Sequence, residues 1–545
     1  MEFKNRDYVS SILETNEVKV ARQSVRASAI LFAGNLLSLL LLAITVIVIA
    51  RLLGPEMYGE YTVALVLSGA FVLFTGFGMN TALMRYSAFH VSRGEIRLAK
   101  RKSRSASYML VLLGAIFGTA NFVGASFFSA VVLHRPELAP LVRLTSIAIL
   151  GQAMIQASIA GFIGWASSEH ASFSLIVQAA LKLVLSPLFI VLGFSVFGAV
   201  LAHSLSYLLA GTLFFGIFYI LKLRGIGSSS IKQTVCDVKE MISFGLPEYL
   251  GRVLFQFSQQ SYLLIVLAII ATNITVAYYQ AALNITVNLS MMSTVVAQAL
   301  LPAFARLDGL KGDIRTAFTY AQKYSSYAMT PIIFFIVGTS GLLMQSFYGK
   351  QYLEASGYLQ LLGIAFLPFA FGLAVLPPFF NGLGKTRLTL LMFLASSLTL
   401  FGLAPVLTSV LELKVIGLII SLVISNVVQL VVGMLLAKKI FGVTFQYGVA
   451  LRSSIAAGTS YLILYFLTSL GFNPLEMLIL SVLTFFGLYL TLAATFRIMS
   501  ASEFNQLKNS CMGLGIVSKI LFIILRYETF ILKATTLTHQ SSNER

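Results

Sequence analysis

Charge is scarce in this chain: 11% of its 545 residues are Asp, Glu, Lys or Arg, against about 25% in an ordinary soluble domain. With 58% hydrophobic residues, too few polar side chains remain to cover one water-soluble core, which excludes a soluble globular protein and points to a bilayer as solvent. Cysteine occurs twice, at Cys236 and Cys511, both in polar stretches, so no disulfide framework is expected. Aspartate is confined to Asp7, Asp237, Asp308 and Asp313, all outside the apolar runs. A membrane glycosyltransferase would need paired external acids for metal and acid–base work. The outer acids here are instead scattered singly: Glu56, Glu60, Glu137, Glu354, Glu412 and Glu476. No Walker A sequence accompanies them, so neither ATP hydrolysis nor other catalysis is expected, and no cofactor or metal site.

What is abundant is apolar sequence in runs of the roughly 20 residues that cross the hydrocarbon as helix. Fourteen can be read: 27–50, 60–84, 106–133, 141–165, 171–193, 197–221, 244–271, 275–301, 325–347, 357–380, 388–411, 415–437, 453–470 and 476–499. The first starts too far into the chain, and runs too long, for a cleaved signal peptide. An even number of spans places both termini on one side. Of the 38 Lys and Arg residues, 31 fall in segments sharing the side of the N-terminus, 5 fall on the other side, and Lys182 and Arg252 lie inside spans. That bias makes the N-terminal side cytoplasmic, with the protein in the cell membrane. The net charge of +18 is therefore a topology device facing anionic lipid, and no nucleic-acid partner is expected. Beyond residue 499 a polar tail contains "MGLGIVSKILFIILRY" at 512–527, which suits a helix lying in the interface better than a fifteenth span.

The chain also repeats itself. Tyr61 in "GPEMYGEYTVA" matches Tyr279 in "ATNITVAYYQAA" at an offset of 218, and the same offset pairs Phe162 with Phe380 and Gly164 with Gly382. At 219, "RSASY" at 104–108 lies on "KYSSY" at 323–327, and Gly198 on Gly417. The expected architecture is an all-α integral membrane protein with about 14 transmembrane helices, in two pseudo-symmetric six-helix lobes plus two extra C-terminal helices. Its parts are a cytoplasmic segment 1–25, an N-lobe 26–222, a Gly- and Ser-rich linker 223–243, a C-lobe 244–437, two appended spans in 453–499, and a cytoplasmic tail 500–545. Parallel repeats with one linker are the layout of an alternating-access carrier whose substrate binds between the lobes at mid-membrane.

The residues also carry a family resemblance. "ARLLGPEMYGEYTVA" followed by "ALMRYSA" resembles the opening helices of polysaccharide-type, Wzx-like flippases of the multidrug/oligosaccharidyl-lipid/polysaccharide (MOP) exporter superfamily. "VAYYQAALNITVNLSMMSTVVAQALLPAFARL" and "NGLGKTRLTLL" are similar to the family as well, and the likeness spans residues 25 to about 500. It implies a two-lobe carrier moving lipid-linked oligosaccharide from the cytoplasmic to the external leaflet, with a cationic lumen for the phosphate or pyrophosphate of a polyprenyl carrier. Membrane lipid, glycan-assembly enzymes and a coupling Na+ or H+ are the implied partners. The alternatives are a cation-coupled multidrug (MATE-like) exporter, a flippase for a peptidoglycan precursor, and a membrane assembly scaffold that transports nothing.

A charge at bilayer depth faces a partner or a wet cavity. Arg252 is either a guanidinium fork for phosphate oxygens or the salt-bridge partner of Glu248 one turn earlier, and both hold if Glu248 parks it in the empty state. By pseudosymmetry it should face Gly34 and Asn35. Lys182 lies near the middle of span 5 and replaces Leu400 of the second repeat, so it either lines the lumen or snorkels and pairs locally. Arg26 and Arg85 flank spans 1 and 2 as topology markers or as a ring at the cytoplasmic mouth. Among the amides, Asn35, Gln152, Gln156, Gln256, Gln259 and Gln260 are candidates for sugar hydroxyls, against the default of interhelical hydrogen bonds. His203 reads as a packed polar residue ahead of a proton relay.

Overall fold

In hydrocarbon every backbone N–H and C=O must be paired within its own segment, so apolar runs of this length have one stable form, the helix. The computed structural model bears this out: the described residues are almost entirely helical, with no strand among them. It describes residues 2–225, 230–287, 313–467 and 473–500, together with 304, 503, 527 and 531. Side chains are described from residue 30 onward, apart from Pro247, Glu248 and Leu467. The expected interfacial helix at 512–527 lies outside this set, save for Tyr527.

The chain divides into two compact units, Met1–Ala277 and Tyr278–Arg545. The first contains α1 (Glu2–Phe74), α2 (Met79–Ser92), α3 (Ile96–Phe127), α4 (Ala139–Gly164), α5 (Ser168–Phe189), α6 (Ser195–Phe218), α7 (Ile231–Gln256) and α8 (Leu263–Ile270). Within it α4 packs between α3 and α6, and α1 lies along α5. The helix described at 273–287, here α9, crosses the border between the units. The second unit continues with α10 (Ile314–Gly338), α11 (Ser340–Leu343), α12 (Ala355–Ala365), α13 (Leu376–Gly382), α14 (Thr386–Pro405), α15 (Lys414–Phe441), α16 (Tyr447–Leu467) and α17 (Pro474–Thr495). Phe318, Phe379, Phe380 and Met392 form part of its core, while Phe335, Ala456, Phe485 and Tyr489 knit α10 to α16 and α17.

Among the described residues ten helices are long and apolar enough to cross a membrane, or eleven if a bent pair is one span. The difference from fourteen has identifiable causes. Expected spans 1 and 2 are joined in one 45-residue helical stretch, Ile30–Phe74, and spans 5 and 6 in one of 56 residues, Ser168–Leu223. Each is broken internally, at Gly54 (φ 74°) and at Gly193 (φ 92°). After Gly54 the chain restarts as helix at once, with Pro55 in a first-turn position where its missing N–H costs nothing, whereas the second break extends to Ser195 (φ 48°). Span 8 is described only to residue 287. Span 9 is the bent pair, Ile314–Gly338 and Ser340–Tyr348, turned by 73°.

Two further boundaries differ from expectation. Span 2 was expected to reach residue 84, yet α1 ends at Phe74 and a turn with Phe77 and Gly78 at positive φ separates it from α2. The Gly and Ser content of 223–243 predicts a linker, but from Ile231 it is helix, capped by the Ser230 hydroxyl accepting from the Gln233 N–H and continuous with span 7. The contact border at 277/278 thus falls one span later than the repeat border. The reason is the docking of α7 and α8 at both ends. A Cβ on Gly78 would lie 2.3 Å from the Gly245 carbonyl carbon, and one on Gly59 would lie 1.9 Å from the Asn273 carbonyl oxygen. Arg135, before α4, donates to the carbonyls of Ala268 and Ala271 and to the Asn273 side chain.

Candidate functional site

Along α7, Arg252 and Gln256 stand one turn apart, and Gln260 follows in a π-type segment, Phe257–Tyr262. All three are exposed, although the stretch Tyr249–Ile270 is apolar enough to be a span. Arginine and two amides on the surface of such a helix would be costly against lipid tails and fit a water-filled path. Gln259, on the neighbouring side, is half-buried. The helix is held at this level by Tyr249, whose hydroxyl donates to the Leu73 carbonyl at 2.6 Å and whose ring stacks on Phe77 at 5.9 Å. Arg252 lies within electrostatic reach of Tyr249.

Two turns earlier on α7, Phe244 carries the Arg85 guanidinium, 4.0 Å from its ring centroid. The fold therefore brings Arg85 of α2 onto the helix that bears Arg252. In the same unit Asn80 of α2 donates to Gln156 of α4 at 3.0 Å, so this amide has an interhelical partner. Gln152, one turn away on α4, is half-buried.

At the first turns of α7, Asp237 receives both arms of Arg101 at 2.9 and 3.1 Å, and Lys102 donates to both oxygens of Glu240 at 2.8 Å. The Lys102 ammonium also sits 4.3 Å from the Tyr86 ring centroid. Hydrogen bonding from Lys102 holds the Glu240 carboxyl below the usual carboxylate range despite the opposing effect of burial.

A separate polar group lies inside the first unit. Ser174, Gln178, Lys182 and Ser186 repeat every four residues along α5 and are all buried. Gln178 donates to Ser206 of α6 at 3.3 Å, so this stripe faces α6. Opposite it, the His203 and Tyr207 rings meet at 5.1 Å, and His203 feels the charge of Lys182. Tyr61 of α1 is within electrostatic reach of Tyr207.

Residues 24–308, more than half of the chain, match the family described as polysaccharide biosynthesis protein. The chain belongs to that family. Among solved structures, the lipid II flippase MurJ in an inward closed conformation is similar at a TM-score of 0.65 and 16% identity, over 86% of this chain and 98% of that one. An inward-facing multidrug resistance MATE family transporter of the MOP superfamily gives a TM-score of 0.62 at 19% identity, over 74% of this chain and 94% of the other. A MOP superfamily transporter from Pyrococcus furiosus gives 0.53 at 21%, over 76% and 95%. At these identities the likeness is one of fold. No curated relative matches the sequence. The protein is thus a multi-pass membrane protein of the polysaccharide biosynthesis family.

For this member of the polysaccharide biosynthesis family, the sequence-derived candidates separate into groups. Arg85, Arg252, Gln256 and Gln260 are exposed, the first and second held to the same helix. Lys182 is 7% exposed and belongs to the interior group. Asn35 is exposed beside exposed Leu36 and Leu37, and the Gly34 surface is taken up by Ser172 of α5, 2.4 Å from a Cβ built there. The side chains of Arg26 and Glu248 lie outside the described set. Phe244 and Tyr249 carry no signal in the sequence because aromatics in an apolar run look like core; for Ser186 and Tyr207 the signal is their spacing of four from Lys182 and His203.

Proposed function

We propose that the protein is a flippase for a lipid-linked oligosaccharide, moving polyprenyl phosphate or pyrophosphate sugars from the cytoplasmic to the external leaflet of the cell membrane for surface glycan assembly. The observation that carries this reading is the exposed Arg252–Gln256–Gln260 stripe on an apolar helix. A guanidinium matches phosphate oxygens in a two-pronged geometry, and amides one and two turns along match sugar hydroxyls. Arg85, steered by Phe244, would meet the anionic headgroup first. Membership of the polysaccharide biosynthesis family supports the cargo class, and the charge bias supports termini on the cytoplasmic side. Exchange of a cation on a buried carboxylate, as an exporter of drug-like cations would use, has less support. The buried acids among the described residues are Asp237 and Glu503, each already bound to a base, Arg101 or Lys323, at 2.9 and 2.7 Å.

The test is reconstitution into liposomes with a fluorescent polyprenyl-pyrophosphate oligosaccharide, read by its accessibility to an impermeant quencher. Hydrogen bonds to a charged group are worth about 1.5–3 kcal/mol, so Arg252→Ala should slow translocation about 10- to 100-fold with unchanged thermal unfolding. Arg252→Lys, a point charge without the fork, should recover only part of the rate. Wild-type vesicles that fail to move the lipid would refute the function, and a fully active Arg252→Ala would remove the residue from the site.

A further inference from the structure

The two helices appended to the repeat, α16 and α17, pack chiefly along the bent span 9: α10, α11 and the π-type turn Met344–Tyr348. That span turns by 73° where the chain reads Gly338-Thr339-Ser340-Gly341. Such residues permit a kink, but they do not set its angle. Contacts from the appended pair reach it along its length. The Tyr461 ring of α16 fills the place where a Cβ on Gly338 would stand. Phe335, one turn before the bend, meets Phe485 and Phe486 of α17 at 5.5 and 5.4 Å. Tyr489 of α17, 1% exposed, donates its hydroxyl to the Tyr327 carbonyl at 2.9 Å. The helical donor for that carbonyl would be residue 331, and Pro331 has no N–H. A carbonyl freed in this way is costly in hydrocarbon, and α17 supplies the missing donor. After α17, the buried Glu503 carboxylate receives Lys323 of α10 at 2.7 and 2.8 Å and the Ser500 N–H at 2.6 Å.

We propose that α16, α17 and the turn ending at Glu503 are a brace that sets the bend of span 9, and that this span straightens only when the brace disengages. A helix packed along one arm could not fix an angle, but α17 lies against both, since it packs on α11 beyond the bend as well as on α10 before it. The contacts are also matched to the weak points of the span: a donor at the carbonyl that Pro331 frees, a ring at Gly338, and a carboxylate for Lys323. The inference is independent of the cargo, because every contact lies in the second unit and none involves the exposed stripe of α7.

The experiment joins hydrogen exchange to spin-label distances on the purified full chain in lipid nanodiscs. Tyr489→Phe removes one oxygen and keeps the ring. Glu503→Gln removes the charge facing Lys323 and keeps a side chain able to cap Ser500. Each should speed amide exchange across residues 335–343 about tenfold, the value of one hydrogen bond. With labels on the exposed positions Ala328 of α10 and Lys350 beyond the bend, the unaltered brace should give a single distance, and Tyr461→Ala should add a longer one. If Tyr461→Ala does not fold, the exchange in the two conservative variants decides alone. Exchange unchanged in either of them, or a label distance that stays single in Tyr461→Ala, would overturn the proposal and leave the bend a property of Gly338–Gly341.

Discussion

At the scale of single residues, glycine decides more than charge does. Gly78 combines a φ of +75° with a neighbour so close that an added Cβ would sit 2.3 Å from the Gly245 carbonyl carbon. Gly94 has a similar φ, +73°, but open space around it. The two separate backbone strain from overpacking. Gly94→Ala should cost about 1–2 kcal/mol from the left-handed conformation alone, whereas Gly78→Ala should add about 1–3 kcal/mol of overpacking. Thermal unfolding in detergent checks this: equal losses in the two variants would deny the backbone contact. Gly54 was readable in advance, since Gly-Pro between two apolar runs has few other uses. Gly78 was not, because "TGFGMN" lies in a run that hydropathy reads straight through, and its partner is 167 residues away. Tyr61 shows the same limit. Its match to Tyr279 could be seen in the sequence, but the buried, unbonded hydroxyls they share could not.

At the scale of the element, α7 is where sequence reasoning and structure part most. "GSSSIKQTVCDVKEM" has the composition of a linker, but Ser230 standing three residues before Gln233 is a helix-start pattern. The acids that seemed to mark solvent are the hooks: Asp237 takes Arg101 and Glu240 takes Lys102. Because the folded state depresses the Glu240 carboxyl, its stabilising contribution is complete above the ordinary carboxylate range of about 4.3. It is lost as pH falls through the lowered value. The pair is half-exposed, which limits its worth to about 1 kcal/mol or less. Hydrogen exchange over residues 231–246 should therefore be level between pH 7 and 5.5 once corrected for intrinsic rates, and rise below about pH 4.5. Glu240→Gln should raise it already at pH 7. A variant with unchanged exchange would show that α7 is held by packing alone.

At the scale of the whole molecule, the membrane class, the all-helical build and the family were legible because a bilayer permits so few solutions to a long apolar run. The number of spans was less so. Hydropathy cannot tell a loop from a single-residue break such as Gly54 or a short one such as Gly193 to Ser195, nor a straight helix from one bent by 73°. The two exposed polar positions one and two turns after Arg252 were visible as a spacing, and the burial of Lys182 was not, since depth along a helix says nothing about which neighbour covers it.

The backbone contact between Gly78 and Gly245 has a consequence for motion. Two peptide planes in contact leave no side chain that could flex between them, the Tyr249–Leu73 hydrogen bond fixes the same helix one turn on, and the Gly59–Asn273 contact ties down the chain beyond α8. The segment bearing Arg252 is thus riveted to its unit, and whatever strokes the protein makes, that arginine rides as cargo of the first unit instead of swinging on its own. Spin labels placed on exposed positions Ala88 of α2 and Leu250 of α7 make this a ruler. One narrow distance distribution, unchanged when a lipid-linked sugar is added, is the expected reading; a second population would mean that the rivet opens.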